Sequence, residues 1–194
     1  VAALVLRNNY LQTLALSLAE RRGLDEIDFQ QRLMRELESD RDLDREVETL
    51  PDDAELRARA ERRQPLTRPE LAVLLAYAKI DLYSRLLASD VPDDPYLGRE
   101  LMRYFPQQMR ERYADAIAGH RLRREIISTM LANSMINRCG PTMFVRLADE
   151  TGADLPAIAG AFAVARNAFS LTELNGEIDA LDNRIPGALQ LDLY

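Results

Sequence analysis

A chain of 194 residues with 47% apolar content can bury a sizeable core, since a domain of that size removes roughly 70% of its unfolded surface from water. Its formal charge of −7 repels phosphate backbones and anionic membranes, which argues against nucleic acid as a partner, and no apolar run approaches the ~20 residues of a membrane span. A single Cys excludes an internal disulfide framework and a multi-Cys metal centre, and it fits a reducing compartment, so the cytoplasm is the expected location.

The opening VAALVLRNNY has no Met, basic leader or small-residue cleavage site, and the helix that Ile185-Pro186-Gly187 sets up stops at ALQLDLY. Sequence is therefore expected to continue on both sides. Residues 1 to about 22 read as a helix with Leu11, Leu14, Ala15 and Leu18 on one face, closed by Arg21-Arg22 and by Gly23 as a left-handed cap. Phe29, Leu33 and Leu37 mark a second helix over 26–39, and Leu43, Val47 and Leu50 continue a weaker pattern to Pro51. Both faces are narrow, which predicts surface helices. DDAELRARAERR, 52–63, has the acid-to-Arg polarity that suits a helix dipole but only Leu56 as an apolar anchor, so it reads as a mobile piece. Gln64-Pro65 then divides a leading amphipathic segment, 1–64, from a helical core module, 65–194.

The core module opens with a strong helix start. Thr67 and Glu70 form a capping-box pattern with Pro69 in the first turn, and Leu71, Leu74, Leu75, Ala78, Leu82 and Leu86 make one stripe. Val73, Ala76, Tyr77, Ile80, Tyr83 and Leu87 carry apolar surface round most of the cylinder, so this helix needs neighbours on several sides. Asp94-Pro95 starts a short helix over 96–105, and another is predicted from Pro106 to Ala118. A long helix over 121–138 carries the rows Leu122, Ile126, Met130 and Ile127, Leu131, Met135 and ends at Gly140-Pro141. Asp154 caps a helix with Leu155, Ile158, Phe162, Ala165 and Phe169 on one face. Ser170 to Glu173 reads as a second capping box ahead of Leu171, Leu174, Ile178 and Leu181. No segment alternates with period two and no repeat is present. The expected fold is all-α, a nonrepetitive bundle of about nine helices without a sheet.

Chemistry has few footholds. Gly-x-Gly is absent, so neither a dinucleotide turn nor a phosphate loop has its minimal residues. His120 is the only His and follows Gly119 at a helix junction, where a cap or surface contact outweighs catalysis. Cys139 beside Gly140 reads as a small buried thiol, with Arg138 adjacent as the one feature favouring reactivity. A hydrolase built on His120 and Cys139 would have to span a helix of roughly 27 Å. Lys79, the sole Lys, reads either as a snorkelling side chain or as a buried amine of depressed pKa. Asp52-Asp53 and Asp93-Asp94 are helix caps. Arg110, Arg112, Arg121, Arg123 and Arg124 form either an anion-holding cluster or a solvated face paired with Glu111 and Glu125. Asn133, Ser134 and Asn137 read as a polar strip that ties a neighbouring backbone. No residue is assigned a catalytic, cofactor-binding or metal-binding role.

Taken together, LTRPELAVLLAYAK (66–79), DDPYL (93–97), YFP (104–106), HRLRREII (120–127), NSMINRCGPTMF (133–144) and Glu150-Thr151-Gly152, in this order and spacing, resemble one family. Asn8-Asn9-Tyr10-Leu11-Gln12-Thr13 and Leu181-Asp182-Asn183-Arg184 extend the likeness to both ends. The chain resembles the C-terminal helical region of the large bacterial NAD-dependent glutamate dehydrogenases. The resemblance implies a parent that oxidatively deaminates L-glutamate with NAD, its dinucleotide and substrate residues lying in a catalytic domain that ends at or before Val1. It implies no cofactor in the present piece, which would abut that catalytic domain and other subunits of a homo-oligomer. A free-standing helical adaptor that binds a partner helix is the competing expectation.

Overall fold

A computed structural model describes residues 2–40 and 42–194; Val1, where the first helix was expected to begin, lies outside the described residues. Among the described residues the fold is all-α, with twelve α-helices, three 3-10 turns and no strand. The helices are α1 (Ala2–Arg22), α2 (Ile27–Ser39), α3 (Asp53–Glu61), α4 (Arg68–Ala88), α5 (Gly98–Tyr104), α6 (Gln107–Arg112), α7 (Ala114–Ala118), α8 (Arg123–Cys139), α9 (Met143–Thr151), α10 (Leu155–Ala168), α11 (Leu171–Asp179) and α12 (Gly187–Asp192). None is long and apolar enough to cross a membrane.

The centre is the seam between α4 and α8, flanked by α1, α2, α5 and α10. The stripe Leu71, Leu74, Leu75, Ala78, Leu82 and Leu86 is buried throughout, and Ile127, Leu131 and Met135 of α8 are sealed against it. Apolar area is the main source of stability here, each such side chain contributing about 1.5–3 kcal/mol on burial. Initiation of α4 follows the sequence pattern: Glu70 Oε2 accepts from the Thr67 amide at 2.7 Å and from its hydroxyl at 2.8 Å. Its other end is fastened to α8, because Arg124 donates to the carbonyls of Leu87 and Ser89 at 2.8 and 2.9 Å and pairs with Asp93. Those carbonyls lack partners within α4, so the guanidinium serves as its C-terminal cap.

The N-terminal helices close on the far end of α8. Gly23 adopts φ +51° as the left-handed end of α1, while Arg22 Nη1 donates to the Cys139 carbonyl at 2.8 Å. Buried Glu26 accepts from the Thr142 hydroxyl and lies 3.5 Å from Arg146. Gly140 separates these groups with φ +88° and ψ 170°, a conformation open in practice only to glycine. Leu56 is buried and Arg59 donates to both oxygens of Glu70 at 2.9 Å, so α3 is tied to the start of α4 more firmly than one apolar anchor suggests.

Several expectations need correction. Residues 42–50 form turns instead of extending α2: Leu43 and Leu50 are buried, whereas Val47 is exposed. The helix expected over 106–118 is broken at Tyr113 into α6 and α7. Ser170 sits at φ +49° with no side-chain cap, so the second capping box does not form. On α10 the buried positions are Leu155, Ile158, Ala159, Ala163 and Arg166, while Ala165 and Phe169 face outward. Together with α9, which the sequence reading left unassigned, these breaks raise the number of helices above the expected nine.

Candidate functional site

The residues that carry unusual chemistry fall into four places. On α10 every exposed position, Ala157, Ala161, Val164, Ala165 and Ala168, is apolar, and Phe169 just beyond is 75% exposed. Its one charged residue points inward. Arg166 is 6% exposed and meets Glu100, itself 1% exposed, at 2.5 Å, while its Nη1 donates to Ser134 Oγ at 2.9 Å. Arg103 adds a second donor to Glu100 at 3.0 Å, and Asn167 links Arg103 to the Tyr96 hydroxyl. A globular helix ordinarily presents the reverse pattern, with charge outward and apolar surface inward. The outer face of α10 is thus surface without the groups that favour water.

Lys79 occupies the second place. It lines an open cleft of about 360 Å³ with Ile80 and Tyr83 of α4 and Thr129, Ala132 and Asn133 of α8. Burial pushes its amine down to about 8, and no charged neighbour acts on it.

The third place is acidic. A surface basin of about 920 Å³ is bordered by Glu38, Asp42, Asp44, Glu46, Glu48 and Asp52, with Arg45 the cation among its described lining residues. Asp52 Oδ1 accepts from the Glu55 amide at 2.8 Å as the cap of α3. For neighbouring Asp53, burial acts to raise the pKa but is outweighed by hydrogen bonds from Arg45, Arg35 and Gln31, which hold the carboxyl at about 2. Carboxylates on this scale oppose a dinucleotide's pyrophosphate, and no helix start here follows a strand and a glycine-rich turn. The residues lining this basin do not fit NAD.

At the fourth place α8, α11 and the chain end converge. Arg138 makes two parallel bonds to Asp179, at 3.1 and 2.7 Å, and the Tyr194 hydroxyl donates to the same carboxylate. Burial, with Asp179 second, raises the Tyr194 phenol. This arrangement pins the chain end to α8.

The remaining sequence candidates are dispersed. His120 Nδ1 accepts from the Leu122 amide at 3.1 Å and its ring packs on Phe105, a local turn contact. Burial raises the Cys139 thiol, with Arg22, Arg146 and Arg138 pulling the other way. His120 and Cys139 flank the two ends of α8 and do not meet. The Arg cluster also comes apart: Arg110 donates to the carbonyls of Phe105 and Arg103, Arg124 caps α4, and neither pairs with Glu111 or Glu125. Asp94 caps the turn at Tyr96, as its position before Pro95 predicts. Within the polar strip, Ser134 ties to Arg166, Asn137 is buried, and Asn133 turns to the Lys79 cleft. Sequence reasoning missed Arg166 and Glu100; the one charge in the otherwise apolar helix α10 was the available signal for Arg166, while Glu100, set between Arg99 and Arg103, carried none.

Comparison with known proteins places this geometry. The family described as "Glutamate dehydrogenase, C-terminal" matches residues 63–194. The chain is 47% identical over 193 residues to the NAD-specific glutamate dehydrogenase of Pseudomonas aeruginosa and 46% identical over 193 residues to that of Halomonas elongata, in each case across 100% of this chain and 12% of the relative. It is 36% identical over 152 residues to the Mycobacterium tuberculosis protein of the same name, covering 78% of this chain and 9% of that one. The chain therefore spans only a small fraction of the length of the curated relatives it matches. A helical bundle that is collinear with these proteins from end to end and matched by the C-terminal profile over 63–194 belongs to the C-terminal region of the NAD-specific glutamate dehydrogenase family.

Proposed function

We propose that this chain is a noncatalytic helical module of a cytoplasmic NAD-dependent glutamate dehydrogenase, whose parent reaction converts L-glutamate, NAD and water to 2-oxoglutarate, ammonia and NADH. The observation that carries the reading is the 47% identity across the whole chain to a protein named for that activity. Hydride transfer belongs to the rest of the parent. What the present residues supply is a core centred on α4 and α8 and an uncharged outer face on α10, which suits contact with the catalytic domain or another subunit. The role is assembly or kinetic control.

The test is glutamate-dependent NAD reduction by the product of the complete reading frame, beside the same frame lacking residues 65–194, with the mass of each assembly measured in parallel. Activity in the complete product, with altered assembly or kinetics in the deletion, is the expected result. An unchanged oligomer with unchanged kinetics refutes the role. No glutamate-dependent reduction by the complete product refutes the parentage and favours a helical adaptor.

A further inference from the structure

One side of α4 is left open although the helix is the centre of the core. Beyond Pro69 in the first turn, its exposed positions Ala76, Ile80, Ser84 and Ala88 recur at every fourth residue, none carries charge, and Ile80 is 56% exposed. Beside this strip the half-buried Lys79, with Tyr83 on the same helix, shares the cleft with Thr129 and Asn133 of α8. Nearby cations are matched: Arg85 pairs with Asp81 at 3.3 Å, and Arg124 with Asp93 and two carbonyls. Among the described residues no ion pair includes Lys79. An ammonium half removed from water gains from a carboxylate partner, and Asn133 adds an amide donor to the same cleft.

The form of the site selects the kind of occupant. Sites for small molecules enclose about 70–90% of the ligand surface. Here the cleft is open and is lined on one side by Ile80, a member of the strip, which suits the side of a helix or an extended segment. The occupant must offer one carboxylate among apolar groups. A free acidic protein is opposed by the net charge of −7, whereas a segment of the same polypeptide is held nearby at roughly millimolar effective concentration. The relatives provide the length for such a segment, because this chain covers 12% of them.

We propose that Lys79 and the uncharged strip Ala76–Ile80–Ser84 form a docking site for a segment of the parent enzyme beyond these residues, which sets an Asp or Glu carboxylate on Lys79 Nζ and an apolar side chain on Ile80 and Tyr83. The inference rests on the reading of the chain as a module of a larger enzyme.

Amine labelling of Lys79 in the complete enzyme gives opposite signs for an open and an occupied cleft. At pH 8 an uncovered Lys79, whose amine burial pushes down to about 8, reacts on the order of 10-fold faster in the native protein than in the urea-unfolded chain, where lysine titrates near 10.4, because the larger free-amine fraction outweighs its lower nucleophilicity. A covered, paired Lys79 reacts more slowly in the native protein than in the unfolded one, and that is the expected result. A water-soluble carbodiimide then names the partner: it activates a carboxylate as the O-acylisourea, Nζ attacks the acyl carbon, the urea leaves, and an amide joins the two peptides. A cross-link from Lys79 to an Asp or Glu outside these 194 residues is expected. Faster native labelling without a cross-link overturns the proposal, as does a cross-link to a carboxylate within these 194 residues of the same or a second copy, the latter identified by isotope mixing. NAD reduction by the same preparation separates the failures: activity with an open Lys79 removes the docking site alone, while no activity removes the enzyme reading.

Discussion

Arg166 and Glu100 meet at 2.5 Å between α10 and α5, both withdrawn from solvent, and Arg103 approaches the same carboxylate from the protein's edge. Removing one member of a buried pair strands the other, at a cost of about 3–5 kcal/mol, whereas replacing both by apolar residues of similar volume is neutral or stabilising. Glu100→Gln is expected to lower the urea midpoint markedly, and Glu100→Leu with Arg166→Met to restore most of it. A double variant as unstable as the single one contradicts this account.

The outer face of α10 gives a different expectation. Val164→Asp touches no buried group, so the stability of the module should change by no more than about 0.5 kcal/mol. If that face is a contact surface, the same substitution in the complete enzyme loosens the assembly, which analytical ultracentrifugation reads as a lower mass. Wild-type mass for the aspartate variant rules the face out.

Gly140 provides a backbone test. A Cβ there would stand 3.3 Å from Arg22 Nη1, at a φ of +88° that L-residues rarely adopt. Gly140→Ala should cost about 1–3 kcal/mol and weaken the Arg22 bond to the Cys139 carbonyl. Equal thermal midpoints for variant and wild type would show that the junction yields without strain.

Asp53 predicts the acid limb of stability. Its carboxyl titrates near 2 when folded, below the 3.8 of an unperturbed Asp, so the folded state binds the proton less readily than the unfolded one. The stabilisation is complete above about pH 4 and is lost as pH falls through about 2. Asp53→Asn should flatten the pH dependence of the unfolding free energy between those values; an unaltered slope would mean that the bonds from Arg45 and Arg35 contribute nothing.

What the sequence made legible follows the strength of local rules. The start and the buried stripe of α4 read correctly because a capping box sets its register and large Leu side chains mark one face. α10 misleads because it is apolar on every side, and periodicity then gives no direction; Arg166, the residue least expected inside, decides which face is buried. The Arg cluster fails for a related reason, since guanidinium groups that satisfy helix-end carbonyls leave no trace in charge patterning. α9 was readable after Gly140-Pro141 from Met143, Phe144, Leu147 and Ala148, spaced three and four apart, but the segment is short. The Lys79 cleft needed the structure, because half of it comes from α8, fifty residues further on.

Glu26 waits for Thr142, its hydrogen-bond partner 116 residues later. At the ribosome, where a chain lengthens by about 5–20 residues per second, that interval is roughly 6–23 s. During it α1 and α2 have emerged while the surface that receives their polar ends has not been made. The junction between the leading helices and the end of α8 therefore closes late, only when the turn after α8 has been synthesised.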